Sequence, residues 1–145
     1  MLLELLATLC AGLFAGAAAY ITFVEHPARL ECGTELAATQ FGPSYRRAAV
    51  MQASLAGVGL LAAIAAWVRG RGVPVLAGGL LLGAVIPFTL LVILPTTKRL
   101  LAPGLDRRSP EAAALLGQWG RLHAVRTLLS AIGFGVLVWH LVGHG

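Results

Sequence analysis

The chain has 145 residues, 58% of them hydrophobic and 12% charged, with a mean hydropathy of +0.84. Water-soluble domains carry about 25% charged residues, so a surface that faces water all round is excluded and the bilayer is the expected solvent. The net charge of +5 does not point to nucleic acid, because the basic residues stand between long apolar runs; they suit lipid headgroups or a bound anion.

A membrane-crossing helix needs about 20 apolar residues, and four segments supply them, near 2–24, 48–68, 73–95 and 123–142. They predict a single transmembrane domain over 1–145, an all-α integral-membrane four-helix bundle whose backbone groups bond within each helix. The first run carries Glu4 and no Lys or Arg before its apolar core, and exceeds the apolar length of a signal peptide, so it reads as a span and not as a cleaved leader. Cys10 and Cys32 lie about 30 Å apart along a helix, too far for an intrachain disulfide. Thr34 is a candidate helix cap, Gly42-Pro43 a breaker and Ser44 a second cap. "RGRG" at 69–72 is a tight turn. Pro87 interrupts the third span, frees the Gly83 carbonyl and kinks the helix, with Thr89 or a water expected to satisfy that carbonyl. Ser109, Pro110 and Glu111 form a helix start, so the fourth helix is expected to begin near 110, outside the bilayer. The GxxxG pairs Gly12/Gly16 and Gly79/Gly83 suit close helix contact, within the bundle or in a homo-oligomer.

Four spans place both termini on one face and the two long connections, 25–47 and 96–122, on the other. Most of the polar chemistry gathers on that second face. The first helix leaves through Glu25, His26 and Arg29; the second enters through Tyr45, Arg46, Arg47 and Gln52; the third leaves through Thr96, Thr97 and Lys98; the fourth enters through Trp119, Arg121, His123 and Arg126. Trp119, His123 and Arg126 share one helix face by their i, i+4, i+7 spacing. Ionisable groups within a membrane are costly and mark functional sites. The plain alternative is that the arginines snorkel to the headgroups. Nine Lys or Arg on this face, against Arg69 and Arg71 on the other, put the site face in the cytoplasm of a bacterial inner membrane by the positive-inside rule.

The sequence carries no HExxH or CxxC metal signature, no phosphate loop and no nucleophile elbow. His26, His123 and Glu25 are the donors an iron site would use, and the two histidines the ligands a haem would use. The neighbouring arginines favour an anion such as an enolate or phenolate instead. The cofactor therefore stays open between none, haem and iron.

The blocks "EHPAR" (25–29), "PSYRRAAVMQASLA" (43–56), "PFTLLVILPTTKRLLAP" (87–103) and "WGRLHAVRT" (119–127) resemble, in order, the anthrone oxygenase-like family of small four-span membrane proteins. That resemblance implies a membrane monooxygenase that oxidises a lipophilic aromatic, of the anthrone or hydroquinone type, with O2. It implies that His26, Arg29, Tyr45, Arg47, His123 and Arg126 form the family's polar set. The chain departs from the family pattern at Val85-Ile86, where Asn-Trp is common, and at Thr97, where Asn is common. On this reading one of His26 and His123 is the general base, Arg29 and Arg126 hold the enolate, and Tyr45, Arg47, Gln52, Lys98 and Trp119 bind substrate. The expected partners are lipids and the aromatic molecule. The alternative is a non-enzymatic membrane scaffold, or a lipid- or quinone-binding module.

Overall fold

A computed structural model describes residues 1–144, with side chains described as far as Gly143. The described residues form helices and no strand: α1 (Leu2–Tyr20), a π-helical turn (Ile21–Glu25), α2 (His26–Glu31), α3 (Thr34–Val68), α4 (Val73–Phe88), a second π-turn (Thr89–Ile93), α5 (Leu94–Leu100) and α6 (Pro110–His144). α1, the first π-turn and α2 run on as one rod, as do α4, the second π-turn and α5. With α3 and α6 they make four rods long and apolar enough to cross a membrane. α1 and α4 each pack against both α3 and α6 and barely touch one another, so they lie diagonally across a four-helix bundle. Outward-facing Leu9, Leu13, Leu61, Leu91 and Trp139 are exposed, as a lipid-facing surface requires.

The bundle is closely packed because small residues line its seams. A side chain on Gly133 would sit 3.0 Å from the Gly78 carbonyl oxygen, and Gly79 abuts Ala63. α4 thus lies directly on α6 through one glycine and on α3 through the other. These contacts place Gly79 and Gly83 inside the bundle, whereas among the described residues nothing lies within 4 Å of a Cβ added at Gly16. Both cysteines are free, Cys10 buried and Cys32 exposed.

α3 and α6 have 35 residues each, about 50 Å of helix against about 30 Å of hydrocarbon. Their excess lies on the long-connection face. There Ala37, Phe41, Leu115, Leu116 and Trp119 join Ile93 in a second apolar cluster, separate from the membrane core around Phe14, Leu82 and Leu137. This cluster is a lid of folded helix over the bundle's polar end.

Four local expectations are corrected. Gly42-Pro43 does not break the chain: α3 runs through Pro43 from Gly33, whose φ of 89° and carbonyl bond to Ala37 N start the helix in place of a Thr34 cap. Pro43 removes one helical bond, to the Thr39 carbonyl, but Thr39 is exposed, so solvent or headgroups can satisfy that oxygen. Ser44 is therefore not a cap and its hydroxyl is released for the site. At Pro87, Thr89 Oγ1 donates to the Val85 carbonyl (2.6 Å), not to that of Gly83. Ser109 Oγ does accept from Ala112 N (3.1 Å) at the start of α6. Each π-turn ends two residues before a proline, Pro27 or Pro95. A proline ring collides with the carbonyl four residues back, and a wider turn relieves that collision. π-turns recur at functional sites, and both of these lie at the level of the polar cluster.

Candidate functional site

Where the membrane core meets the lid, a cavity of about 20 Å³ is lined by Arg29, Ser44, Tyr45, Gln52, Trp119, His123 and Arg126. It has room for about one water-sized molecule. A larger, mostly apolar pocket of about 170 Å³ adjoins it, between α3 and the third rod. Tyr45, Ala49, Gln52 and Arg126 belong to both walls. Phe14, Ala56 and Val85 line its buried end, while Ala53 and Leu90, at its outer rim, are exposed. The pocket therefore opens sideways, toward lipid.

Arg126 is buried one turn below His123 and, among the described residues, meets no carboxylate. Its Nη2 donates to Gln52 Oε1, its Nη1 to Thr89 Oγ1 (3.2 Å), and its Cζ lies 5.0 Å from the centre of the Phe14 ring. Two neutral oxygens and a ring face do not neutralise a guanidinium. Arg29 is different. Its Nη2 donates to Glu25 Oε1 (2.5 Å) and Ser44 Oγ (3.2 Å), and Glu25 also accepts from Ser44 Oγ and from Gln40 Nε2 (3.1 Å). The site thus holds one matched ion pair and one unmatched cation.

Four residues of the cavity wall carry buried nitrogen donors without an acceptor: Arg29 Nε, Gln52 Nε2, Trp119 Nε1 and Arg126 Nε. Buried N–H groups are nearly always bonded. Four orphans around one small cavity describe a place for an acceptor-rich or anionic group.

The two histidines do not share this cavity. Trp119 stands between them, stacked on His123 (centroids 4.8 Å apart, 24° between planes) and tilted against His26 (5.2 Å). His26 lines a separate groove beside Thr22 and Arg121. Its Nε2 donates to the Leu116 carbonyl (3.0 Å). Gly120 makes that reach feasible, since a Cβ there would lie 2.7 Å from His26 Nε2. His123 lines both the cavity and the groove. Its Nδ1 bonds Thr22 Oγ1 (3.0 Å), and among the described residues its Nε2 meets no hydrogen-bond partner.

Among the sequence candidates, Arg29, Tyr45, Gln52, Trp119, His123 and Arg126 come together. Arg47 and Lys98 do not: both are exposed and neither lines the cavity. On α3 the positions of Tyr45, Ala49 and Gln52 face inward, and Arg47 turns away from them. Thr22, Thr127, Ser44, Thr89 and Phe14 join the network although composition did not single them out. Their hydroxyls and ring matter because of what they touch, which spacing alone does not reveal. Among the described residues no three His, Cys, Asp or Glu side chains gather as a metal site. Of the donors named for iron, Glu25 is tied to Arg29, while His26 and His123 both line the groove beside Trp119.

The anthrone oxygenase family model matches residues 41–136, about two-thirds of the chain. No curated protein and no solved structure matches. The matched stretch holds Tyr45, Gln52, Trp119, His123 and Arg126 and stops short of the first rod, which adds Arg29. This chain is an integral-membrane four-helix protein of oxygenase-like kind, and it belongs to the anthrone oxygenase family.

Proposed function

We propose that the protein is a membrane oxygenase that draws a lipophilic, weakly acidic aromatic from the bilayer and oxidises it with O2. An anthrone, or a hydroquinone of similar shape, is the substrate class. Its rings occupy the apolar pocket between α3 and the third rod, and its acidic oxygen points inward to Arg126 and Gln52. The lid covers the site from the aqueous side, so access is lateral, past Ala53 and Leu90.

His123 Nε2 is the general base. Taking the O–H proton of the anthrone's enol tautomer leaves the electron pair delocalised over the ring as an enolate. Its oxygen accepts from the otherwise unused donors of the cavity wall, and Arg126 supplies the countercharge. The enolate reduces O2, which reaches the ring carbon through the apolar pocket. The new C–O bond carries a hydroperoxide that loses water to give the second carbonyl. One oxygen atom enters the product and the other leaves as water. The substrate supplies all four electrons, so the stoichiometry closes without an external reductant. Arg29, tied to Glu25 and Ser44, holds the cavity's upper wall. The site face is cytoplasmic on the count of basic residues.

The observation that carries this reading is Arg126, a buried guanidinium in a membrane helix with no carboxylate partner. Such a charge is costly unless something anionic meets it. The test is conversion of anthrone to anthraquinone by purified protein in nanodiscs, with O2 uptake measured alongside. Equal uptake and product formation, lost in His123→Ala, is the expected result. Turnover unchanged in His123→Ala would remove the base assignment, and no turnover of any anthrone or hydroquinone would leave the reading without support.

A further inference from the structure

His123 bonds through Nδ1 to a chain of hydroxyls, and the donors in that chain can be counted. Thr22 Oγ1 lies 3.0 Å from His123 Nδ1 and 2.8 Å from Thr127 Oγ1. Thr127 Oγ1 lies 3.2 Å from the Ala18 carbonyl oxygen and 3.1 Å from that of His123. A carbonyl only accepts, so the single Thr127 proton is committed to the carbonyl end. The link between the two hydroxyls must then use the Thr22 proton. Nothing remains on Thr22 to give to the imidazole, so the link to His123 needs a proton on Nδ1. The reverse direction, with Thr22 donating to Nδ1, leaves both carbonyl contacts of Thr127 without a proton. With the Thr127 proton shared between the two carbonyls, every contact can be made in one direction only.

We infer that Thr22 and Thr127 are positioning residues that hold His123 as the Nδ1–H tautomer, so that Nε2 presents the lone pair of the base. The catalytic half of this inference rests on the oxygenase reading; the tautomer does not. The choice matters chemically. The cavity wall is rich in N–H groups, and a base there needs an acceptor nitrogen. An Nε2–H tautomer would add one more donor and could not take a proton at that atom. The relay also spans the helices: Ala18 and Thr22 come from the first rod, Thr22 within its π-turn, while His123 and Thr127 come from α6. The first rod thereby sets the tautomer of a base carried by the fourth. When Nε2 takes the substrate proton, the imidazolium keeps its Nδ1–H bond to Thr22 and the relay needs no rearrangement.

His26 shows the opposite state by the same logic. Its Nε2 faces the Leu116 carbonyl and so carries the proton, leaving a buried Nδ1 without a partner. The two imidazoles are held as different tautomers on either side of one indole.

The test is 15N NMR of ring-labelled histidine in nanodiscs, where the two neutral tautomers have distinct ring shifts and two-bond couplings. His123 is assigned by the signal lost in His123→Gln. The wild type is expected to show Nδ1–H. Thr22→Val, which keeps the shape and removes the hydroxyl, is expected to lose that preference, and Thr22→Ser to keep it. With anthrone, Thr22→Val should lower kcat about tenfold to a hundredfold with KM nearly unchanged, and Thr22→Ser should restore it. Thr127→Val gives a second test should Thr22→Val fold poorly, since it breaks the same chain one link further on. An Nε2–H tautomer in the wild type, or an unaltered tautomer in both valine variants, overturns the inference. An Nδ1–H signal that is lost in Thr22→Val, in a protein that turns over no anthrone, upholds the relay while the oxygenase reading falls.

Discussion

Arg126→Met separates what the site does for chemistry from what it does for folding. The guanidinium is buried, and its partners are Gln52 Oε1, Thr89 Oγ1 and the Phe14 ring. Taking an ion out of water costs several kcal/mol, which neutral partners only partly offset. Methionine fills nearly the same volume with no charge. The fold should therefore lose nothing beyond the unmet amide oxygen of Gln52, about 1 kcal/mol, and should gain from the charge removed. The transition state loses one or two charge-assisted hydrogen bonds, each worth about 1.5–3 kcal/mol. A loss of about 3 kcal/mol lowers kcat/KM about 10²-fold. The assay pairs thermal unfolding in nanodiscs with anthraquinone formation from anthrone. The expected result is an equal or higher Tm with about 1% of wild-type kcat/KM. Full activity, or destabilisation by more than about 3 kcal/mol, would refute the argument, since either would make Arg126 a structural tie.

Ala53→Trp places a large ring at the mouth of the apolar pocket; turnover of a three-ring anthrone should fall at least about tenfold, with unfolding little changed because the position is exposed. Arg47→Ala and Lys98→Ala should leave kcat/KM within about twofold, because both side chains lie outside the cavity; a loss comparable to that of Arg126→Met would restore them to the site. Gly120→Ala drives a methyl to within 2.7 Å of His26 Nε2 and should destabilise by about 1–3 kcal/mol, read as a lower Tm. Glu4→Ala, at the other end of the bundle, removes the carboxylate that meets His140 Nε2 (2.9 Å) and Arg71 Nε (3.6 Å). It should lower the Tm by several degrees and leave the kcat of surviving protein unchanged.

Much of the fold is legible in the sequence because hydrophobic length decides it. Four apolar runs separated by charged connections have few arrangements in a bilayer. The convergence of Trp119, His123 and Arg126 on one face follows from helical spacing, and their meeting with Arg29 and Gln52 follows from the topology. What local pattern misreads is the backbone around proline. Gly42-Pro43 resembles a break, yet burial of Ala37, Phe41 and the facing Leu115 and Leu116 outweighs one lost helical bond. The π-turns leave no mark in composition, although the spacing of Pro27 and Pro95 behind them is regular. Side-chain roles are legible where charge is scarce and obscure where hydroxyls are common. Arg126 stands out in an apolar run, whereas Thr22 and Thr127 look like ordinary membrane threonines until their partners are known. Trp119, a substrate-binding candidate by sequence, lines the cavity, and its ring is also stacked on His123 and tilted against His26, contacts that spacing alone does not reveal.

The central claim is that the donor-lined cavity takes up the anionic oxygen of a lipophilic aromatic. A hydroxyanthraquinone reports on this directly, because its phenolate absorbs at longer wavelength than its phenol. Its spectrum should be recorded with protein in nanodiscs at a pH about one unit below the free ligand's pKa. The account predicts a bound, red-shifted phenolate, no such shift in Arg126→Met, and at least about tenfold weaker binding of the O-methyl ether. A ligand bound as the neutral phenol, or a methyl ether that binds as tightly as the phenol, would contradict it.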